Sequence, residues 1–494
     1  MKTLLSLALT TVLISASSVW AKDDVRDSVV KIHVTQRSPN YVRPWTKSSV
    51  SKISGSGVVI AGNRILTNAH VVQYASRIQV QPNQSTEKLS ARVIAIAIGI
   101  DLAVITVDDK DFFKKRKAIP LGENIPKIKD SLSTYGYPVG GEQQSVTEGI
   151  VSRIEYASFI LGTSGLRIQV DAALNPGNSG GPAIAKGKII GLCFSIIKSA
   201  NNIGYLIAVD EIKTFLNDIK DGSYTGKPKI FDQLQTVENE ALRKRLGLKS
   251  ADGGLMVKSP YSKAKDYPVQ PWDVITHIGK HKLDKQGFGR VSDLRLRYSY
   301  FVTKEAKKGK VPITFLRKGK SMKGSLPVMV RSNSLIPYLR GKYPRHFIYG
   351  PMLFTAANQD LMLRLPGSLK TILSSRQSPL TRRQFARKAF AGEELVILGA
   401  RMFPHKTSEG YDAQTFAVVT HINKVKVKNL AHLVELFRDA KGEYLVIRLG
   451  GSYEDLVFNR EELSEATEEI LENEGIRKQY SKDLAAIWKK KKKK

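Results

Sequence analysis

The chain has 494 residues, 42% of them hydrophobic, with a formal net charge of +33 and a single cysteine. That length exceeds one core and predicts roughly two to four folded domains, while the apolar content excludes a chain that is disordered throughout. One cysteine excludes an intrachain disulfide, so stability must come from packing.

Residues 1–21 read as a signal peptide. Lys2 supplies a positive start, Leu4 to Ala16 an apolar run too short to span a bilayer, and Val19-Trp20-Ala21 a cleavage site. An anchor that is never cut is the alternative. No later segment approaches the roughly 18 consecutive apolar residues of a membrane-spanning helix. The mature chain is therefore expected to be exported and soluble, in the periplasm or secreted.

From Val25 to about Val209 the pattern is short alternating or apolar runs punctuated by Gly, Pro and Asn, such as SVVKIHVT, GSGVVI, ARVIAIAIGIDLAVITV and KIIGLCFSII. Such spacing predicts paired β-barrels rather than βαβ units. Cys193, inside the last of these runs, is expected to be a buried, inert thiol. VDEIKTFLNDIK places Val209, Ile212, Phe215, Leu216 and Ile219 at helical spacing, so a helix should close this region. Asp221-Gly222-Ser223 and Gly226-Lys227-Pro228 read as a linker, which gives a first domain over 22–225.

Two further units follow, at 229–330 and 345–455, each mixing short strands with one or two helices. In the second, Asn429 can cap the helix LAHLVELFRDA, which should end near Lys441-Gly442. Residues 456–494 read as a charged helix running into six lysines, Lys489 to Lys494. Charge is concentrated elsewhere too: from Lys304 to Arg331, Glu305 is the one acid among nine basic residues. Such stretches suit an anionic envelope surface. They lack interleaved stacking aromatics, so a nucleic-acid partner is not expected. No cysteine/histidine cluster or phosphate loop occurs, and neither metal nor cofactor is expected.

Gly177-Asn178-Ser179-Gly180-Gly181 satisfies two patterns at once, the nucleophile elbow of α/β-hydrolases and the turn of chymotrypsin-like proteases. A serine hydroxyl needs a base to accept its proton and a third group to orient that base. Of eight histidines, His70 in RILTNAHVV has the setting for the base. Asp101 in AIGIDLAVITV is the carboxylate embedded in an apolar stretch, where burial demands a partner. Asp108, Asp109 and Asp111 lie in a charged turn, and Asp171 reads as a loop-shaping residue. The order His70, Asp101, Ser179 opposes the hydrolase order, and Gly180-Gly181-Pro182 disfavours the helix that an elbow requires.

TNAHVV, GIDLAVI and VDAALNPGNSGGP, with GSGVVI before them and YGYPVGG between, resemble the HtrA/Deg (Do-like) serine proteases. The resemblance implies a mainly β chain: a chymotrypsin-like double β-barrel protease domain followed by two α+β PDZ-like domains. It implies that His70 is the general base, that Asp101 orients it, and that Ser179 attacks the scissile carbonyl. The backbone N–H groups of Gly177 and Ser179 would form the oxyanion hole, and Leu174 and Ile196 would wall an aliphatic specificity pocket. Asn178, where trypsin-like zymogens carry Asp, implies no activation by N-terminal cleavage.

Pro271-Trp272-Asp273-Val274-Ile275 with Ile278-Gly279 resembles a PDZ stretch, with Trp272 where glycine is usual. Tryptophan takes φ > 0 only at a cost, so this turn is expected to differ, and no clear carboxylate-binding loop accompanies Phe231-Asp232-Gln233-Leu234. TFAVVTHINKVKVKNLAHLVEL and HFIYGPMLFTAA are similar to a divergent PDZ module of the plant-type Deg branch. Whether these units bind peptides by strand addition or serve packing stays open. The family resemblance further implies an ATP-independent endopeptidase acting on unfolded or misfolded polypeptides, working as a homo-oligomer of trimers or multiples with Pro44-Trp45 in the contact. A chaperone or PDZ scaffold with minor or regulated proteolysis is the alternative.

Overall fold

The computed structural model describes residues 22–158, 163–196, 204–331, 333–411 and 415–490. The expected signal peptide and the last four lysines lie outside the described residues.

Two closed six-stranded barrels occupy the first part of the chain. The first comprises β1 (Val29–Gln36), β2 (Ser51–Ile60), β3 (Arg64–Thr67), β4 (Ala75–Gln81), β5 (Leu89–Ala97) and β6 (Leu102–Val107), closed in the order β1-β2-β3-β6-β5-β4. The second comprises β7 (Ser131–Gly136), β8 (Ser145–Ser158), β9 (Ser164–Val170), β10 (Pro182–Ala185), β11 (Lys188–Ile196) and β12 (Gly204–Ala208), in the order β10-β11-β12-β9-β8-β7. The period of two divides β1 between two cores. Val30, Ile32 and Val34 fill the first barrel, while Val29 joins a second cluster that bridges the barrels through Val58, Tyr137 and Leu192. Phe215 and Ile212 of the helix Val209–Asp218 seal that bridge, as the apolar spacing predicted. The two barrels thus share one buried apolar cluster.

The third body is a sheet ordered Gln233–Thr236, Leu255–Ser259, Val274–Ile278, Lys310–Arg317 and Lys320–Pro327, with the helix Tyr298–Glu305 packed on it. Its core is continuous with that of the second barrel: Val257, Ile275 and Phe301 share one cluster with Val151 and Leu166. The expectation that Trp272 avoids φ > 0 is overturned. Trp272 adopts φ 75° as the third residue of a turn closed by the Asp273 N–H on the Gln270 carbonyl at 3.2 Å. The strain is held by Asp273, whose carboxylate accepts from the Gln270 N–H and pairs with Arg317 at 2.7 Å, while Arg245 lies 5.1 Å over the indole.

The fourth body is a seven-stranded sheet that begins with His346–Tyr349 and Met352–Ala356. Asn429 caps the helix Leu430–Arg438 by accepting from the His432 N–H, and the helix stops sooner than expected. The expected boundary at residue 455 also shifts. Leu456–Asn459 is a strand of this sheet, and the helices Arg460–Asn473 and Lys482–Trp488 bury Leu463 and Leu484 completely in its core. The glutamates between those apolar positions mask the stripe in the sequence. Trp45, expected in a contact between copies, packs within the chain against Phe403 and His346, at 5.7 and 6.3 Å between ring centres, and stays partly exposed.

Candidate active site

His70 sits on the one-turn helix Ala69–Val72 that leaves β3. Gln36 on β1 donates to the His70 and Val71 carbonyls at 3.1 and 3.0 Å, which fixes that turn to the barrel. Asp101 follows the 3₁₀ turn Ile98–Ile100 and takes a left-handed conformation, φ 56°. Its own carbonyl accepts from the Asn68 side chain at 3.0 Å, tying the two loops together. Both carboxylate oxygens go to His70: Oδ1 accepts from the backbone N–H at 2.8 Å, and Oδ2 meets ring Nδ1 at 2.6 Å. A carboxylate only accepts, so Nδ1 carries a proton, which in the neutral imidazole puts the lone pair on Nε2. Asp101 is buried and the imidazole about half exposed, so the burial that predicted a partner for Asp101 finds it in His70.

Ser179 lies on a turn held from both barrels. Its carbonyl accepts from Ser56 N–H at 2.8 Å, and the Gly180 N–H donates to the Cys193 carbonyl at 2.9 Å. A Cβ on Gly181 would stand 1.9 Å from the Tyr135 carbonyl oxygen, which explains the second glycine after Ser179. The Ser179 hydroxyl donates to the Phe194 carbonyl at 3.4 Å, and no hydrogen bond joins it to His70. Gly177 has φ 101°, and a Cβ there would stand 2.4 Å from the Tyr137 carbonyl oxygen. The Pro176 carbonyl accepts from Val139 N–H at 2.7 Å. Because C=O and N–H point oppositely across a trans peptide, this turns the Gly177 N–H away from the 138–139 loop. Among the described residues, neither Gly177 N–H nor Ser179 N–H has an acceptor.

Leu174 is buried, with Cδ1 2.6 Å from where a Gly204 Cβ would lie. Ile196 ends β11 opposite Gly204; its side chain lies outside the described residues. Asp171 accepts from Ile150 N–H at 2.7 Å, in keeping with a loop-shaping role. Cys193 is fully enclosed, and burial pushes its thiol up to about 12, so it stays protonated and inert. Among the described residues no group of three His, Cys, Asp or Glu side chains is placed to hold a metal ion.

Sequence reasoning missed Ser56. This buried hydroxyl on β2 donates to the Gly177 carbonyl at 2.8 Å and accepts from Tyr137 N–H at 2.9 Å, and Thr67 Oγ1 donates to the Ser56 carbonyl at 2.7 Å. The signal available was a serine between two glycines just before the apolar run Val58-Val59-Ile60, a hydroxyl that must find buried partners.

The trypsin-like peptidase domain family matches residues 55–192, and a PDZ domain family matches 337–483. Protease Do-like 2, chloroplastic, from Arabidopsis thaliana is 31% identical over 465 residues, spanning 93% of this chain and 75% of that protein. Protease Do-like 4, mitochondrial, from the same plant is 32% identical over 467 residues, spanning 93% and 85%. A solved variant of the HtrA-type protease AlgW with a decapeptide aligns over 63% of this chain and 96% of its own, with TM-score 0.50 and 25% identity. The chain belongs to the HtrA/Do-like family of PDZ-containing, trypsin-fold serine proteases and is a serine endopeptidase.

Proposed function

We propose that His70, Asp101 and Ser179 form the catalytic triad of an ATP-independent endopeptidase that degrades misfolded or damaged exported proteins. The observation that carries this reading is the Asp101 carboxylate, which spends both oxygens on His70 and leaves Nε2 as a base. In the reaction Ser179 Oγ leaves the Phe194 carbonyl and gives its proton to Nε2 as it bonds the scissile carbon. The carbonyl oxygen takes the negative charge and is held by the N–H groups of Gly177 and Ser179. On collapse the C–N bond breaks, the imidazolium returns the proton to the amine, and water then hydrolyses the acyl-enzyme by the same route.

Leu174 beside Gly204 supports a pocket of limited depth that prefers aliphatic residues before the cut bond; Ile196 is proposed as its second wall. The barrels through residue 225 supply hydrolysis, and the 229–330 unit and the C-terminal unit supply recognition or packing. The Do-like relatives carry chloroplastic and mitochondrial names of their own; export of this chain is proposed from its first 21 residues, and N-terminal sequencing of the mature protein should begin at Lys22. No helix among the described residues is long and apolar enough to cross a membrane. A homo-oligomer is proposed from family resemblance and is measured by light scattering.

The test pairs the protein with its Ser179→Ala form, an unfolded polypeptide and a fluorophosphonate probe. Labelling and cleavage by the first and neither by the second are expected. If the unaltered protein neither labels nor cleaves, yet suppresses aggregation, the chaperone reading replaces this one.

A further inference from the structure

A groove of about 570 Å³ runs between the first barrel and residues 340–343, the strap that joins the third body to the fourth. The strap is firmly seated. Tyr343 Oη donates to the Arg37 carbonyl at 2.7 Å and packs edge-on against Tyr74 at 5.5 Å. Gly341 has φ 83°, and a Cβ on it would come within 2.4 Å of Ile98 Cδ1, so the strap closes directly on the barrel. The groove has an apolar floor that includes Val72, Ile78, Val93, Ile96 and Ile98. Around it stand Lys47, Arg77, Arg92, Arg340 and Lys342, all exposed, and no carboxylate lines it. Arg92 pairs with Asp108 at 3.3 Å; the other four make no ion pair among the described residues. Lys47 rests 4.9 Å over the Tyr343 ring.

A net charge of +33 puts cations on many surfaces, so a cationic rim alone decides nothing. Three other grooves of similar size among the described residues mix their signs, however. The one between the second barrel and the third body sets Glu155 beside Lys229 and Arg295. Others combine Asp210 and Asp293 with Lys127, or Asp252 and Asp284 with Lys280 and Arg290. Only a groove of one sign attracts a ligand of the opposite sign without an internal competitor. Its concavity and apolar floor favour an extended chain with alternating acidic and apolar side chains over a flat bilayer, since a strand presents successive side chains to opposite sides. Position links it to the reaction: Val72 closes the helix that carries His70, and Ile98 opens the turn that leads to Asp101.

We propose that this groove is an exosite for an acidic, apolar segment of the polypeptide substrate, remote from the cut bond. The proposal rests on the protease reading of the same chain, and its test separates the two. Two polypeptides identical at the cut site are compared, one carrying an Asp/Glu-Leu alternating segment and the other its Asn/Gln-Leu counterpart. The acidic one should show KM about tenfold lower, the cumulative effect of several exposed charge pairs. That ratio should fall towards one in Arg77→Glu/Lys342→Glu, and should shrink in about 0.5 M salt, where screening acts within a few ångströms. Arg77→Lys/Lys342→Arg should retain it, which separates lost charge from lost folding. Fluorescence anisotropy of the short acidic segment on Ser179→Ala reads binding without cleavage, so a failed triad leaves this arm intact. Equal KM for both substrates, or a ratio untouched by charge reversal, overturns the proposal. So does equally tight, Arg77-dependent binding of polyglutamate or of phosphatidylglycerol vesicles, which would make the groove a general anion patch.

Discussion

The hydroxyl of Ser56 accepts from Tyr137 N–H and donates to the Gly177 carbonyl, so one side chain of the first barrel holds two backbone groups of the second. Gly177 is the residue whose N–H is proposed to meet the oxyanion, and its peptide can turn because φ 101° strains no side chain. In Ser56→Ala both groups lose a buried partner, at a cost of about 1–3 kcal/mol each. We expect a lower melting temperature and a kcat reduced about tenfold or more with KM nearly unchanged, because the hole acts on the transition state and not on the bound peptide. An unchanged kcat in a folded Ser56→Ala protein would refute the link. The contrast with the proposed triad explains what was readable at this scale. His70, Asp101 and Ser179 each stand in a local context that constrains their chemistry, so their convergence could be reasoned from composition and order. Ser56 depends on partners more than 80 residues away, and no spacing rule reaches that far.

Among the elements, those with strong periodicity were legible: alternation marked the barrel strands, and helical spacing marked Val209–Asp218. The C-terminal segment was not, since its role comes from where it docks. Residues 478–481 run beside the strand His346–Tyr349. Ile348 N–H donates to the Gln479 carbonyl at 2.9 Å, and Ser481 N–H donates to the His346 carbonyl at 3.0 Å. Trp488 then covers Phe347 and Tyr349 at 5.1 and 5.7 Å. His346 lies inside this seam, with Nε2 3.4 Å from the Lys478 carbonyl and Nδ1 buried without a hydrogen bond among the described residues. Burial lowers its pKa, against the opposing pull of the Lys478 carbonyl and Asp483. A histidine lowered in the folded state contributes stability above its unfolded value of about 6.5 and loses it as pH falls through the folded value. Acidification from about pH 7.5 to about pH 5 should therefore lower the melting temperature and reduce the amide-exchange protection factors, taken relative to the intrinsic rate at each pH, at Gln479–Ser481. His346→Phe, which keeps a ring of similar size and cannot protonate, should show a smaller change. Identical pH dependence in the two proteins would assign the effect to other groups.

At the scale of the whole molecule, composition and punctuation suggested separate units along the chain, but not how they pack on one another. Gly226-Lys227-Pro228 reads as a linker, and a lysine there would ordinarily be solvated. Instead Lys227 is almost wholly buried, its Nζ 2.5 Å from Glu211 on the helix that seals the barrels and 2.9 Å from the Ser164 carbonyl. Glu211 in turn accepts from Leu166 N–H at 2.8 Å. The linker is thus stapled to the second barrel at the point where the third body begins, and Tyr156 packs edge-on against Tyr300 across the same seam at 5.7 Å. Removing one member of a buried pair leaves an uncompensated charge and costs about 3–5 kcal/mol, whereas replacing both is often nearly neutral. Lys227→Met should therefore lower the melting temperature sharply and expose 221–228 to limited proteolysis. Lys227→Met/Glu211→Gln, in which the amide oxygen can still accept from Leu166, should recover most of that loss. If the double variant is as unstable as the single one, the ion pair itself, and not the relief of a lone buried carboxylate, holds the protease to its first appended module.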